Sequence, residues 1–113
     1  GRVRLPALVA GLQKTASALS EIMREYEIKK DEFEFQLGLC EANLKILDVS
    51  IKGRIRPSIR RLRSDIRRFR GQTWFPSQTG SKKSRSGAWE IYTTLNSLLE
   101  ELRHALEDQR VGG

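Results

Sequence analysis

The chain has 113 residues, 38% hydrophobic and 31% charged, with 21 basic residues against 14 acidic ones and a net charge of +7. This length suits one domain with a single core, and the composition is typical of helices that bury one stripe and expose the rest. No apolar run reaches the roughly 18 to 20 residues that span a bilayer, and a single cysteine excludes an internal disulfide. Because the chain begins with Gly1 rather than methionine, we expect one domain of a longer protein.

The first half of the chain carries apolar residues at alternating spacings of four and three, which is the a/d pattern of a heptad repeat. One polar residue, Lys30, interrupts this seam. Its members are Leu12, Ala16, Leu19, Met23, Tyr26, Lys30, Phe33, Leu37, Cys40, Leu44, Leu47 and Ile51. The pattern predicts either one continuous helix over residues 6–52, or a hairpin of two helices over 6–29 and 31–52.

Each alternative has support. A helix of about 46 residues is about 70 Å long at 1.5 Å per residue, so a second chain would have to cover its seam. The region around Lys29 lacks Gly, Pro and Asn, which favours the long helix. Helices longer than about 25 residues are uncommon in single domains, which favours the hairpin. In the hairpin, Asp31 would be the N-cap of the second helix, with Glu34 three residues later.

Gly53 and Pro57 interrupt the seam, and Pro57 suits the first turn of a third helix over residues 57–70. Residues 71–87 are rich in Gly, Ser, Thr and Pro without periodicity, which predicts a long loop. Heptad spacing resumes in a last helix over 88–109. The sequence therefore predicts one all-α domain: a three- or four-helix bundle or helical hairpin with heptad, coiled-coil-like packing and no strand.

Charge is concentrated in residues 52–85, which hold twelve basic residues against Asp65 alone. Five arginines of the third helix follow one another at steps of four, three, four and three and form a column beside its aliphatic face. They are Arg56, Arg60, Arg63, Arg67 and Arg70. Like charges at this spacing repel, so we expect negative groups to face the column. Two sources remain open. The first is the acids of this chain, in the last helix or between Glu21 and Glu34. The second is a ligand: the phosphates of nucleic acid, anionic lipid head groups or an acidic protein segment.

Arginine rather than lysine dominates the column, which favours forked recognition of carboxylate or phosphate. We therefore expect an acidic protein surface as partner, with self-association, and keep nucleic acid or anionic lipid bound through residues 52–85 as the alternative. Lys82, Lys83 and Arg85 would extend the basic site. Trp74 and Phe75 would stack on such a ligand, insert into a membrane interface or plug the end of the bundle.

Little in the sequence points to catalysis. His104 is the only histidine, and Cys40 lies on the apolar seam, where we expect an unreactive thiol. One histidine and one cysteine do not make a metal site, and no phosphate-binding loop or nucleophile motif is present. The sequence therefore predicts a non-enzymatic helical interaction and oligomerisation module. We expect it to act without cofactor or small-molecule substrate inside the cell, in cytoplasm or nucleus, with a peripheral membrane position as an alternative.

Overall fold

The computed structural model describes the backbone of residues 5–51, 53–72 and 81–112, and the side chains of 5–51, 53–71 and 84–108. Within these ranges the chain forms helices and turns and no strand. The four helices are α1 (Leu5–Arg24), α2 (Lys30–Ser50), α3 (Arg56–Gln72) and α4 (Ser81–Gly112). The prediction of an all-helical fold is confirmed for the described residues.

Each helix packs against two others, so that the four form a closed square. Helix α1 contacts α2 and α4, and α3 contacts the same two helices from the opposite corner. Neighbouring helices run antiparallel, as short connections between helices usually require. The molecule is elongated along the helix axes, with extents of 52 × 25 × 22 Å.

The core lies between the four helices and contains most of the apolar seam predicted from the sequence. The largest fully buried side chains are Leu12, Leu19, Phe33, Leu37, Leu44, Leu47, Ile59, Leu62, Ile66, Leu95, Leu98 and Leu102. Two members of the seam are not buried: Lys30 is exposed at the start of α2, and Ile51 is half-buried after its end. Burying one stripe of each helix in this way supplies the main stabilisation of a bundle.

The first half of the chain forms two helices rather than one, because α1 ends at Arg24 and α2 begins at Lys30. The amide of Lys29 donates to the carbonyls of Glu25 and Tyr26 and closes the turn between them. Tyr26 is buried in this turn and packs edge-to-face on Phe33, with ring centroids 5.5 Å apart. This aromatic contact holds the hairpin without the Gly, Pro or Asn that turns usually carry. The proposed cap at Asp31 is wrong: the N-cap residue is Lys29, without a side-chain hydrogen bond, and Asp31 lies in the first turn.

The long loop predicted over residues 71–87 is also wrong at both ends. Helix α3 continues to Gln72, and α4 begins at Ser81 instead of residue 88. The extra turns of α4 pack on residues far away in the sequence: Ser84 Oγ shares a hydrogen bond with the Tyr26 hydroxyl. A Cβ placed on Gly87 would lie 3.2 Å from the Phe69 ring. The predicted roles of Trp74 and Phe75 lie outside the described residues.

The connection between α2 and α3 turns the chain back on itself. Gly53 adopts φ 106°, a conformation that glycine alone adopts without strain, and its carbonyl accepts the amide proton of Arg56. Helix α3 thereby begins beside the C-terminal end of α2. This placement brings the arginine column against α2. No described helix combines the length and apolarity needed to cross a bilayer.

Candidate functional site

Helix α3 faces the core through Ile59, Leu62, Ile66 and Phe69, all of which are buried. Because this apolar face points between α2 and α4, each of its flanks lies beside one neighbour. The arginine column predicted from the sequence occupies the α2 flank. The α4 flank carries Arg61, Asp65 and Arg68, which line a shallow depression together with Ser86 and Glu90 of α4.

A single carboxylate lies at the centre of the column. Asp48, near the end of α2, has a side chain that is only 11% exposed. Its Oδ2 accepts a hydrogen bond from Arg63 Nη1 at 2.8 Å. Its Oδ1 lies 3.3 Å from Arg56 Nε and 3.5 Å from Arg60 Nε. Three guanidinium groups therefore surround one buried acid, which leaves two positive charges in excess.

Arg56 also closes the end of α2. Its Nε and Nη2 donate to the backbone carbonyl of Asp48 at 3.3 and 3.0 Å. The last carbonyls of a helix have no partner within the helix, and a cation at the C-terminus is favoured by the helix dipole. Arg56 thus anchors the start of α3 to the end of α2 by contacts that do not depend on the Asp48 carboxylate.

One pair further along, Arg70 Nη1 lies 3.5 Å from Glu41 Oε2. Glu41 and Asp48 are seven residues apart on α2, and Arg63 and Arg70 are seven apart on α3. A row of acids on α2 therefore faces a row of arginines on the antiparallel α3, and both rows have heptad spacing. Charged residues that flank the seam of paired helices are arranged in the same way. Sequence reasoning named neither acid. The signal was present, because Asp48 and Glu41 directly follow the seam residues Leu47 and Cys40.

The arginines of α3 fall into two sets with different surroundings. We call Arg56, Arg63 and Arg70 the inner arginines, because they lie against α2 with side chains 34%, 19% and 43% exposed. We call Arg60, Arg61, Arg67 and Arg68 the outer arginines, because all four are exposed. Arg60 is 63% and Arg68 69% exposed.

The outer arginines are poorly neutralised within the described part of the chain. Arg60 shares Asp48 with two inner arginines, and Arg68 lies 3.9 Å from Asp65. Neither Arg61 nor Arg67 forms an ion pair with a described residue. A shallow depression between the two sets is lined by Asp48, Arg60, Arg63, Ser64 and Arg67. The outer surface of α3 thus presents two guanidinium groups, those of Arg61 and Arg67, that form no ion pair with any residue the structure describes.

The remaining basic residues of the predicted site belong to α4. The backbone of Lys82 and Lys83 lies in its first turn, but their side chains lie outside the described residues. Arg85 is exposed one turn later. Because α4 contacts α1 and α3 but not α2, Arg85 lies away from Asp48.

The groups with catalytic potential are dispersed. Cys40 is fully buried, and burial, with a smaller effect of the Glu41 charge, raises the pKa of its thiol to about 12. A thiol of this kind is a poor nucleophile because the thiolate is the reactive form. His104 is exposed, with Nε2 4.0 Å from Glu100. The described residues contain no group of three or more His, Cys, Asp or Glu side chains that could hold a metal ion.

Comparison with known proteins indicates no family for this chain. The chain matches no protein-family model, no curated protein sequence and no solved structure. The contacts and charges described above are therefore the basis for inferring a function.

Proposed function

We propose that this protein is a non-enzymatic helical interaction and oligomerisation module whose outer arginines bind an acidic surface of another protein. The observation that carries the proposal is the contrast within α3. The inner arginines have acids of α2 to neutralise them, whereas Arg61 and Arg67 of the outer set have no ion pair among the described residues. We include in the proposal that the buried seam packs in coiled-coil fashion, with side chains of one helix held between those of the next.

Repulsion between like charges acts along the arginine column of α3. Neighbouring positive side chains one turn apart on a helix disfavour each other by about 0.2–0.5 kcal/mol per pair. In α3 every such pair joins an inner arginine to an outer one, and the outer members are Arg60 and Arg67. Asp48 and Glu41 offset the charge of the inner members. Arg67 has no counter-ion among the described residues, so its repulsion with Arg63 and Arg70 would be relieved by a negative partner. An arginine-rich outer surface therefore favours binding of acids rather than stability of the isolated chain.

The contact between α2 and α3 indicates what such a partner looks like. Arg60 and Arg67 are seven residues apart, as are Arg61 and Arg68, which places the members of each pair about 10.5 Å apart along the helix. This is the spacing at which Glu41 and Asp48 meet the inner arginines. An acidic helix with carboxylates seven residues apart would meet the outer arginines in the same way. Guanidinium forks bind carboxylates in two parallel hydrogen bonds.

Binding of labelled ligands to the purified chain tests the proposal. The probes are a helical peptide with glutamates at heptad spacing, a single-stranded RNA homopolymer and phosphatidylserine vesicles, each followed by fluorescence at two salt concentrations. Changing Arg60 and Arg67 together to Gln should weaken peptide binding about three- to tenfold, since each exposed charge pair contributes about 0.2–1 kcal/mol.

The matched control removes the same charge elsewhere, by changing Lys14 and Arg24 of α1 to Gln. Both are exposed, so this variant should bind the peptide like the parent chain. Equal weakening in both variants would mean that net charge alone attracts the peptide, and would contradict the proposal. Tight RNA or vesicle binding that depends on Arg60 and Arg67 and falls steeply with salt, without peptide binding, would favour the alternative of a phosphate-bearing ligand.

A further inference from the structure

Helix α2 is apolar on two opposite faces. One face carries the seam and is buried in the core. The other is exposed and carries a second row, which we call the outer row of α2. It consists of Phe35, Leu39, Ala42, Ile46 and Val49. Their exposure is high for large apolar side chains: 65% for Phe35, 45% for Leu39, 38% for Ile46 and 76% for Val49.

The outer row has the spacing of a helix-pairing surface. Its members follow one another at steps of four, three, four and three, which is the a/d pattern of a two-stranded coiled coil. Single exposed apolar residues are normal on a protein surface, but a contiguous row marks an interaction site. No described residue covers the row. A helix that lay on this face would complete the burial that α2 lacks.

The outer row continues at its N-terminal end to the exposed acid Glu32, and the residues that flank the row carry one charge of each sign. Gln36 and Asn43 lie on the flank towards α1, and Asp31, Gly38 and Lys45 lie on the flank towards α3. A second copy of this helix would therefore meet no strong repulsion. Asp31 and Lys45 are exposed and form no ion pair with a described residue. Asp31 and Lys45 are oppositely charged, and each lies seven residues from Gly38.

Gly38 has no explanation within the single chain. It lies in the middle of α2, where glycine is the least favourable residue after proline. A Cβ added to it would meet nothing within 4 Å, so packing inside the bundle does not require a glycine there. Glycine does permit the backbone of a second helix to approach closely.

We propose that two copies of this chain pair through the N-terminal part of the outer row of α2, from Phe35 to Ala42, antiparallel, about a two-fold axis at Gly38. Asp31 of each copy then meets Lys45 of the other, and Phe35 packs against Leu39 across the axis. A parallel pair would instead set Asp31 against Gln36 and Lys45 against Ser50, so it would lack both ion pairs. This inference rests on the oligomerisation part of the proposed function and identifies its surface.

The arrangement has a consequence for the outer arginines. In an antiparallel pair, equivalent flanks of the two helices lie on the same side. The flank with Gly38 faces α3, because Glu41 and Asp48 beside it contact α3 arginines. The dimer would therefore display the outer arginines of both copies on one face. Such a face suits a partner with two acidic segments.

Solution mass measured over a range of protein concentrations tests the pairing. The parent chain should show a dimer that dissociates on dilution. Leu39→Glu should weaken dimerisation about tenfold or more, because a two-fold interface contains every substitution twice. Trp89→Glu is the matched control: Trp89 is 54% exposed on α4 and lies away from the row, so that variant should dimerise normally. Circular dichroism checks that both variants stay helical.

Exchange of charges tests the direction of pairing. Asp31→Lys and Lys45→Glu should each weaken the dimer, and the variant that carries both should regain the parent affinity. Failure of the double variant to recover would overturn the antiparallel arrangement. A chain that stays monomeric at every concentration, or a dimer indifferent to Leu39→Glu, would overturn the pairing altogether. A dimer that is intact but does not bind the acidic peptide would contradict only the arginine part of the proposed function.

Discussion

The inner and outer arginines of α3 are the same residue type on one helix, yet they meet opposite surroundings. Arg63 is 19% exposed and donates to Asp48 at 2.8 Å. Arg67, one turn further on, is exposed and has no ion pair with a described residue. The difference arises from the position of each residue around the axis of α3. Arg63 lies on the side that contacts the acids of α2, whereas Arg67 lies further towards the exposed side. Density of charge along a sequence therefore says little about function until the internal counter-ions are known.

The comparison predicts that loss of Asp48 has the largest effect on stability. Asp48→Asn keeps the shape of the side chain but leaves Arg56, Arg60 and Arg63 around a neutral group. Removing one partner of a buried ion pair costs about 3–5 kcal/mol, because charge stays buried without compensation. Since Arg60 is largely exposed, we expect about 3 kcal/mol, measured as the free energy of unfolding in urea.

Asp65→Asn is the control on the other flank of α3. Asp65 is 30% exposed and lies 3.9 Å from Arg68, so its loss should cost no more than about 1 kcal/mol. If the two variants lost similar free energies of unfolding, Asp48 would contribute no more to stability than Asp65 does. The distinction between the two flanks of α3 would then be contradicted.

The sequence predicted the core well and the ends of the helices poorly, for a physical reason. Heptad spacing identified the buried face of α2, from Phe33 to Leu47, because hydrophobic burial follows local periodicity. The start of α4 could not be predicted in this way. It depends on Ser84 meeting the Tyr26 hydroxyl and on Gly87 lying against Phe69, and the first of these contacts joins residues 58 positions apart.

The candidate site was predicted in part. Periodicity gave the arginine column and the expectation that acids face it. The choice of acids depends on how α3 is set against α2, which is fixed by the turn at Gly53 and by the capping contact of Arg56 with the end of α2. The heptad row of Glu41 and Asp48 was a usable signal, and testing it against the arginine spacing would have found the pairs.

A matched pair of arginine substitutions compares the two sets directly. Arg63→Gln removes the 2.8 Å hydrogen bond to Asp48, and hydrogen bonds to charged groups contribute about 1.5–3 kcal/mol. Arg67→Gln changes an exposed residue, for which effects stay within about 0.5 kcal/mol. Urea unfolding of both variants checks the difference. If Arg67→Gln were as destabilising as Arg63→Gln, the outer arginines would serve the fold rather than a partner.

The pH dependence of stability distinguishes the contribution of the arginines from that of buried groups that lose a proton at alkaline pH. Burial raises the pKa of Cys40 from 9.0 to about 12 and also raises that of Tyr26. In the unfolded chain the thiol ionises first, so stability is unaffected below pH about 9 and falls as pH rises from there towards 12. The fall is at most about 1.4 kcal/mol per pH unit for one group, so the thiol should remove about 1 kcal/mol by pH 10.

The arginines of both sets stay protonated over this range, so Asp48→Asn should cost the same at pH 8 and pH 10. Most of the fall in free energy of unfolding at alkaline pH should instead disappear in Cys40→Ala. The smaller remainder should disappear when Tyr26→Phe is added. Urea unfolding at pH 8, 9 and 10 measures both effects. If the free energy lost in Asp48→Asn became smaller as pH rose, the contacts between Asp48 and the inner arginines would depend on a group that loses its proton in this range. Their contribution to stability could then not be assigned to arginine–carboxylate contacts alone.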